Sequence, residues 1–285
     1  MSGLLNKPGD SIAVESPTFF GVLQVIESLG MKAVEVGTYP RNGMCLDELS
    51  AAIRRHKIAA VILTPNFQNP LGALMPDEKK KVLVELLAKE EIPLIEDDIY
   101  GDLQHEGPRP RAAKTFDKKG LVLLCGSVSK TLAPGFRVGW CAPGRFKDEV
   151  ERLKFGNTIS SPVLPQLAIA EFLQNGGYDH HLRSIRKNYA QQVRQMHEGI
   201  AKYFPDGTKV TQPKGGFVLW VELPKNVNTL DLFEKAAAQK VSIAPGPLFS
   251  PKPNYKNFLR INCGHPYTPQ IEHAIMILGQ LAGKS

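Results

Sequence analysis

Apolar residues come in two alternating rhythms along this chain. Short, nearly continuous apolar runs alternate with longer stretches spaced at three and four residues, the pattern of strands and amphipathic helices in turn. "SIAVES" (11–16), "KAVEVG" (32–37), "IAAVILT" (58–64), "IPLIED" (92–97), "GLVLLC" (120–125) and "RVGWCA" (137–142) predict strands. Between them, "FFGVLQVIESLG" (19–30) predicts a helix stopped by a glycine, "DELSAAIRRH" (47–56) a second, and "PDEKKKVLVELLAKEE" (76–91) a third that starts at a proline. Strands that are apolar almost throughout must be buried on both faces. With helices between them they make a mostly parallel sheet, covered above and below.

Beyond Gly177 the rhythm changes. One long helix spans about residues 178–203. It is followed by strand-like "TKVTQ", "GGFVLWVEL", "VSIAP" and "FLRINCG", a helix near "TLDLFEKAAAQK", and a terminal helix. The fold class is therefore α/β, with a large domain over 1–177, a connecting helix over 178–203 and a smaller C-terminal α/β domain over 204–285. No repeat and no low-complexity linker interrupts it.

Composition changes little in this picture. Apolar residues make up 42% of the 285 and charged residues 22%, ordinary values for a globular protein. No apolar run approaches the roughly 20 residues that cross a bilayer, and "MSGLLNKPGD" lacks the pattern of a signal peptide. The four cysteines, Cys45, Cys125, Cys141 and Cys263, are scattered without zinc spacing, which points to reduced thiols, a cytoplasmic protein and no metal. The net charge of +7 is spread out, and its densest stretch, "HHLRSIRKNYAQQVRQ", reads as the solvated face of the long helix rather than a nucleic-acid surface.

Ligands of open α/β sheets collect at the carboxyl ends of the strands. Several polar groups sit at such ends here. "IAAVILTPNFQNPLG" places Asn69 in the loop after a strand. "IPLIEDDIYGD" ends on Asp97, with Tyr100 three residues on. "LVLLCGSVSK" ends on Ser127, Ser129 and Lys130, and Arg137 follows. Taken singly, a lysine after a strand is ordinarily a surface residue, "DDIY" a strand end with solvated acids and "NPLG" a turn. Taken together they carry a chemistry. A lysine amine lowered by its surroundings is a Schiff-base nucleophile. An arginine with two serines binds a phosphate. A buried carboxylate keeps a pyridinium nitrogen protonated, and a phenol and an amide hold a ring oxygen. Those are the needs of pyridoxal 5′-phosphate.

The chain resembles the class I/II aminotransferases, fold-type I enzymes that use this cofactor. "NPLG" is similar to that family's NPxG, "DDIY" to its DxxY, "SVSK" with Arg137 to its SxSK and arginine, and "FLRIN" to its carboxylate-binding segment. Within the family, "YFPDGTKVTQPKGGFVLWVELP" and "VSIAPGPLFS" look most like the aminotransferase-like domain of MocR-type GntR regulators, with the aminoadipate/kynurenine aminotransferases also near. The resemblance implies the type I transferase fold and a role for each position. Lys130 would bond to the cofactor and shuttle a proton, with Asp97 on the pyridine nitrogen as the electron-sink partner. Asn69 and Tyr100 would hold the ring oxygen, and Ser127, Ser129 and Arg137 the phosphate. Phe19 would stack on the ring, and Arg260, beside Asn69, would clamp the substrate carboxylate. Asp98 is expected to point away from the site, as strand alternation requires.

The family carries more than a hundred further residues ahead of the segment matched by Met1, including a glycine-containing phosphate loop. The chain is thus expected to be a fragment that binds cofactor weakly and turns over slowly. The activity implied is amino-group transfer between an α-amino acid and an α-keto acid. Two alternatives stand beside it: an effector-sensing domain of a MocR/GntR-type regulator, and another chemistry of the fold such as a lyase or decarboxylase. A homodimer of the full-length protein is implied, with no membrane and no direct nucleic-acid contact by this segment.

Overall fold

Residues 7–284 are described by a computed structural model. The larger sheet opens with β1 (Ser11–Ser16), followed by α1 (Phe20–Ser28), β2 (Lys32–Tyr39), the two-residue β3 (Gly43–Met44) and α2 (Leu46–Arg55). It continues through β4 (Ile58–Leu63), α3 (Asp77–Lys89), β5 (Leu94–Asp97), β6 (Val122–Ser127) and β7 (Gly139–Ala142). The spatial order is β3-β2-β1-β4-β5-β6-β7. β2, β1, β4, β5 and β6 run parallel, while β3 and β7 are antiparallel edges. The chain order thus jumps from β2 across β1 to β4, and the crevice that such a reversal opens lies at the carboxyl ends of β1 and β4.

One face of this sheet is fully covered. Ala13, Val36, Val61, Leu63, Leu94 and Val122 pack there against Leu49 and Ala52 of α2 and Leu83, Val84 and Leu87 of α3. The second face departs from the expected full cover. Ile12, Val14 and Ala60 meet Ile26 of α1. Farther along, a cavity of about 330 Å³ remains among Ile62, Ile95, Leu123, Cys125, α1 and the helix α4 (Lys147–Thr158).

α4 and the next helix, α5 (Val163–Gln174), were not legible in the apolar rhythm. None of α4 is buried, and of α5 only Ile169. After them α6 (Gly177–Tyr203) runs 27 residues. It buries Leu182, Val193, Met196 and Ile200 and turns Arg183, Lys187 and Arg194 outward, the solvated basic face expected.

The smaller sheet joins β8 (Lys209–Val210), β9 (Val218–Glu222), β10 (Ala244–Pro245) and β11 (Phe258–Asn262) in the order β10-β11-β9-β8, all antiparallel. Helices α7 (Thr229–Ala238) and α8 (Pro269–Gly283) cover it together with α6, around a second core that includes Leu219, Val221, Leu232, Leu259, Ile275 and Leu278. Between the two sheets lies a seam where Leu71 and Ala73, from the loop after β4, meet Trp220 and Phe249.

Candidate active site

The loops after β4, β5 and β6 converge near β11 of the smaller sheet. The loop after β4 brings Asn69, buried and joined to Pro70 by a cis peptide. Gln68 anchors that loop: its Nε2 donates to Pro17 O (2.7 Å) and its Oε1 accepts from Leu71 N (2.9 Å). The loop after β5 brings Tyr100, which is 4% exposed, with its ring edge-on to Phe217 at 5.8 Å. The Asn69 amide lies near the Tyr100 phenol and lowers its value, as the charge of Arg260 does. Arg260 Nη1 on β11 donates to Asn69 Oδ1 at 3.4 Å. Three of the residues singled out in the sequence thus form one chain of contacts across the seam.

Asp97 ends β5. Burial pushes its carboxyl up to about 6, and the neighbouring Asp98 adds to the rise; the Ile99 N–H and the charge of Lys130 hold it back. Burial likewise pushes the Tyr100 phenol up to about 12, with Asp97 contributing. Lys130, half-buried past the end of β6, has its ammonium lowered by burial and by the charges of Arg260 and Arg137, against the pull of Asp97. The amine therefore sits between one carboxylate and two guanidinium groups. That electrostatic arrangement yields a neutral nucleophile at a lower pH than a free lysine allows.

Ser127 and Ser129 flank the turn before Lys130, with Ser129 N donating to Ser127 Oγ at 3.3 Å. Arg137 was expected to open a strand; it lies instead before β7, in the left-handed region at φ 52°. A non-glycine residue there costs about 1–3 kcal/mol and persists only where its surroundings hold it. Its exposed guanidinium donates to Pro134 O at 3.4 Å, and its charge reaches Lys130. Phe19 precedes α1 and is 37% exposed, tilted against Phe20 at 4.6 Å. Gly21 makes room for it, since a Cβ there would lie 2.6 Å from Phe19 Cε1.

One donor of the site is free for a ligand. Arg260 Nε is buried with no hydrogen-bond partner, and its guanidinium lies over the Phe249 ring at 5.6 Å. The planar fork is fixed from behind while part of its donor set is unspent, which suits a carboxylate.

Asp98 has partners of its own. Its side chain is 2% exposed and binds Arg109 Nη2 at 2.6 Å and Asn66 Nδ2 at 2.8 Å, so it braces the loop after β5. A second carboxyl was missed in the sequence. Glu15 lies in β1, buried, with Oε2 accepting from Thr64 N at 2.9 Å. Burial pushes it up to about 8, and Asp97 raises it further. A charged letter inside the apolar run "SIAVES" was the available signal.

The family model for aminotransferase class I and II matches residues 2–278. An uncharacterized HTH-type transcriptional regulator of Escherichia coli strain K12, YjiR, is 39% identical over 96% of the chain and 58% of its own length. The aromatic-amino-acid aminotransferase 1 of Thermococcus litoralis is 31% identical over 96% of the chain and 67% of its length. The kynurenine aminotransferase of Pyrococcus horikoshii, solved with PMP, superposes with a TM-score of 0.92 at 29% identity, covering 99% of the chain and 71% of that protein. The chain therefore spans about three-fifths of the length of the regulators it matches, 58% and 59% for two of them.

Proposed function

Because the chain belongs to the class I and II aminotransferase family, we propose that it forms the catalytic body of an enzyme that moves an amino group from an α-amino acid to an α-keto acid. The observation that carries this reading is the meeting of Asn69, Asp97, Tyr100, Lys130 and Arg260 from four separate elements at the carboxyl ends of β4, β5 and β6.

The cofactor is pyridoxal 5′-phosphate, and the residues fit it. It supplies a ring that withdraws electrons from the substrate Cα. Asp97, raised by burial, is held for a partner that offers a proton or positive charge, such as a ring nitrogen. Asn69 and Tyr100 orient the ring oxygen. Ser127, Ser129 and Arg137 bind phosphate with neutral donors and one fixed cation. Phe19 covers the ring face. Arg260 takes the substrate carboxylate with the donors it does not spend on Asn69. Lys130 Nζ would be the amine that holds the cofactor and would then move a proton at the substrate Cα; its lowered basicity suits both tasks.

We further read residues 1–177 as the cofactor-binding part, 178–203 as the connecting helix and 204–285 as the part that delivers Arg260. The two separate cores support that division. The scattered placement of the four cysteines along the sequence fits a cytoplasmic location. Among the described residues no helix is long and apolar enough to cross a membrane. A homodimer of the full-length protein fits the family.

The 39% identity to a transcriptional regulator favours a second reading, in which the same site binds an amino acid and signals its presence. One experiment separates the two. The chain is supplied with cofactor, an aromatic or dicarboxylic amino acid and 2-oxoglutarate, and the new oxo acid is followed by chromatography. Oxo acid formed in step with glutamate supports the transferase. Saturable amino-acid binding without oxo acid supports the sensor, and release of ammonia or carbon dioxide supports a lyase or decarboxylase.

A further inference from the structure

Cys125 and Cys141 are sixteen residues apart in sequence and directly opposed in space. They are register partners across β6 and β7, with Sγ atoms 3.9 Å apart. The type of pair follows from the bonds around it. Val128 N donates to Val138 O, so the hydrogen-bonding positions on this ribbon include 126/140 and 124/142. The carbonyl of Cys125 instead turns the other way and accepts from Asp98 N at 2.9 Å. Cys125–Cys141 is therefore a non-hydrogen-bonded pair. Such pairs hold their Cα atoms about 4.5 Å apart, inside the roughly 4.4–6.8 Å span of disulfides.

Access is provided as well. Cys141 is exposed, and both cysteines line the apolar cavity between the sheet and α4, which Lys154 also lines. The Cys125 S–H donates to Cys141 Sγ. That bond holds the Cys141 thiol below its ordinary value and pushes Cys125 up, so one sulfur is the readier nucleophile and the other the resolving thiol. The position bears on the active site. Cys125 is the register partner of Asp97, and the ribbon of β6 and β7 closes the loop that carries Ser129, Lys130 and Arg137.

We propose that Cys125 and Cys141 are a reversible dithiol, oxidised by hydrogen peroxide to an intramolecular disulfide that staples the base of the Lys130–Arg137 loop. Cys141 thiolate attacks one peroxide oxygen. An S–O bond forms, the O–O bond breaks, and the leaving oxygen departs as water after taking a proton. Cys125 then attacks the sulfenic sulfur. The S–S bond forms, the S–O bond breaks, and the hydroxyl leaves as a second water with the Cys125 proton. Two electrons pass from the sulfurs to the peroxide. The sulfurs close from 3.9 Å to about 2.05 Å by side-chain rotation. A dithiol reductant reverses the reaction.

The test uses the purified chain and hydrogen peroxide, with thiols counted in denaturant. The parent is expected to fall from four thiols to two, lose about 2 Da, and yield one tryptic pair joining the peptides of Cys125 and Cys141. Dithiothreitol restores four. Cys125→Ser and Cys141→Ser should each form no internal cross-link; their circular dichroism confirms folding. Amide exchange across 128–138 should slow at least roughly threefold on oxidation. A cross-link through Cys45 or Cys263, four thiols surviving, or a link only between molecules would overturn the pairing. A disulfide that leaves loop exchange unchanged would overturn the staple.

Discussion

Arg260 Nη1 donates to Asn69 Oδ1 across 3.4 Å, tying β11 of the smaller sheet to the loop after β4, while Arg260 Nε stays buried without a partner. The guanidinium is thus positioned by the protein and left part-spent. Arg260→Lys keeps the charge and loses the fork. A hydrogen bond to a charged group is worth about 1.5–3 kcal/mol, so amino-acid affinity should fall roughly ten- to a hundredfold while cofactor affinity holds. Titration with each ligand in turn checks this. Unchanged amino-acid affinity would place the carboxylate elsewhere.

Asp97 and Asp98 are adjacent and separable. Asp97→Asn removes the charge facing the ring site, so the variant should bind cofactor yet lose most of its single-turnover rate with an amino acid. Asp98→Asn instead weakens the bonds to Arg109 and Asn66. Its cost should appear as about 1–3 kcal/mol of stability in urea unfolding, with little direct change in the chemical step. Reversed results would exchange the two roles.

Glu15 predicts a pH dependence with a definite sign. Its folded-state value of about 8 stands above its ordinary 4.5. An acid raised on folding contributes stability that is full below the ordinary value and is lost as pH rises to the folded value. Between those limits the parent should lose stability relative to Glu15→Gln, at up to about 1.4 kcal/mol per pH unit. Paired urea titrations at pH values of about 5, 6.5 and 8 measure the difference. Parallel curves for the two proteins would show that Glu15 is ionised when folded.

The strand-end chemistry was legible because each polar group follows an apolar run: Asp97 after "IPLIE", Ser127 and Lys130 after "LVLLC". Those strands are apolar almost throughout, so their ends stood out. α4 and α5 were not legible, because Phe155, Leu164 and Leu167 are exposed and draw no buried stripe. β3 has only two residues, too few for any period. Glu15 escaped because its partner Thr64 is 49 residues away. The Cys125–Cys141 pair escaped for the same reason, since an antiparallel register is invisible to spacing. Asp98 was read from alternation alone, which describes a strand; β5 ends one residue earlier.

Lys130 carries the central claim. Its place past β6, between Asp97 and the two arginines, makes it the amine primed to take the cofactor aldehyde. The chain is incubated with pyridoxal 5′-phosphate, reduced with borohydride, digested and mapped by mass spectrometry, beside a Lys130→Ala control. The account predicts one stoichiometric phosphopyridoxyl label, on Lys130, and a control without it. A label on another lysine, or equal labelling of the control, would contradict it.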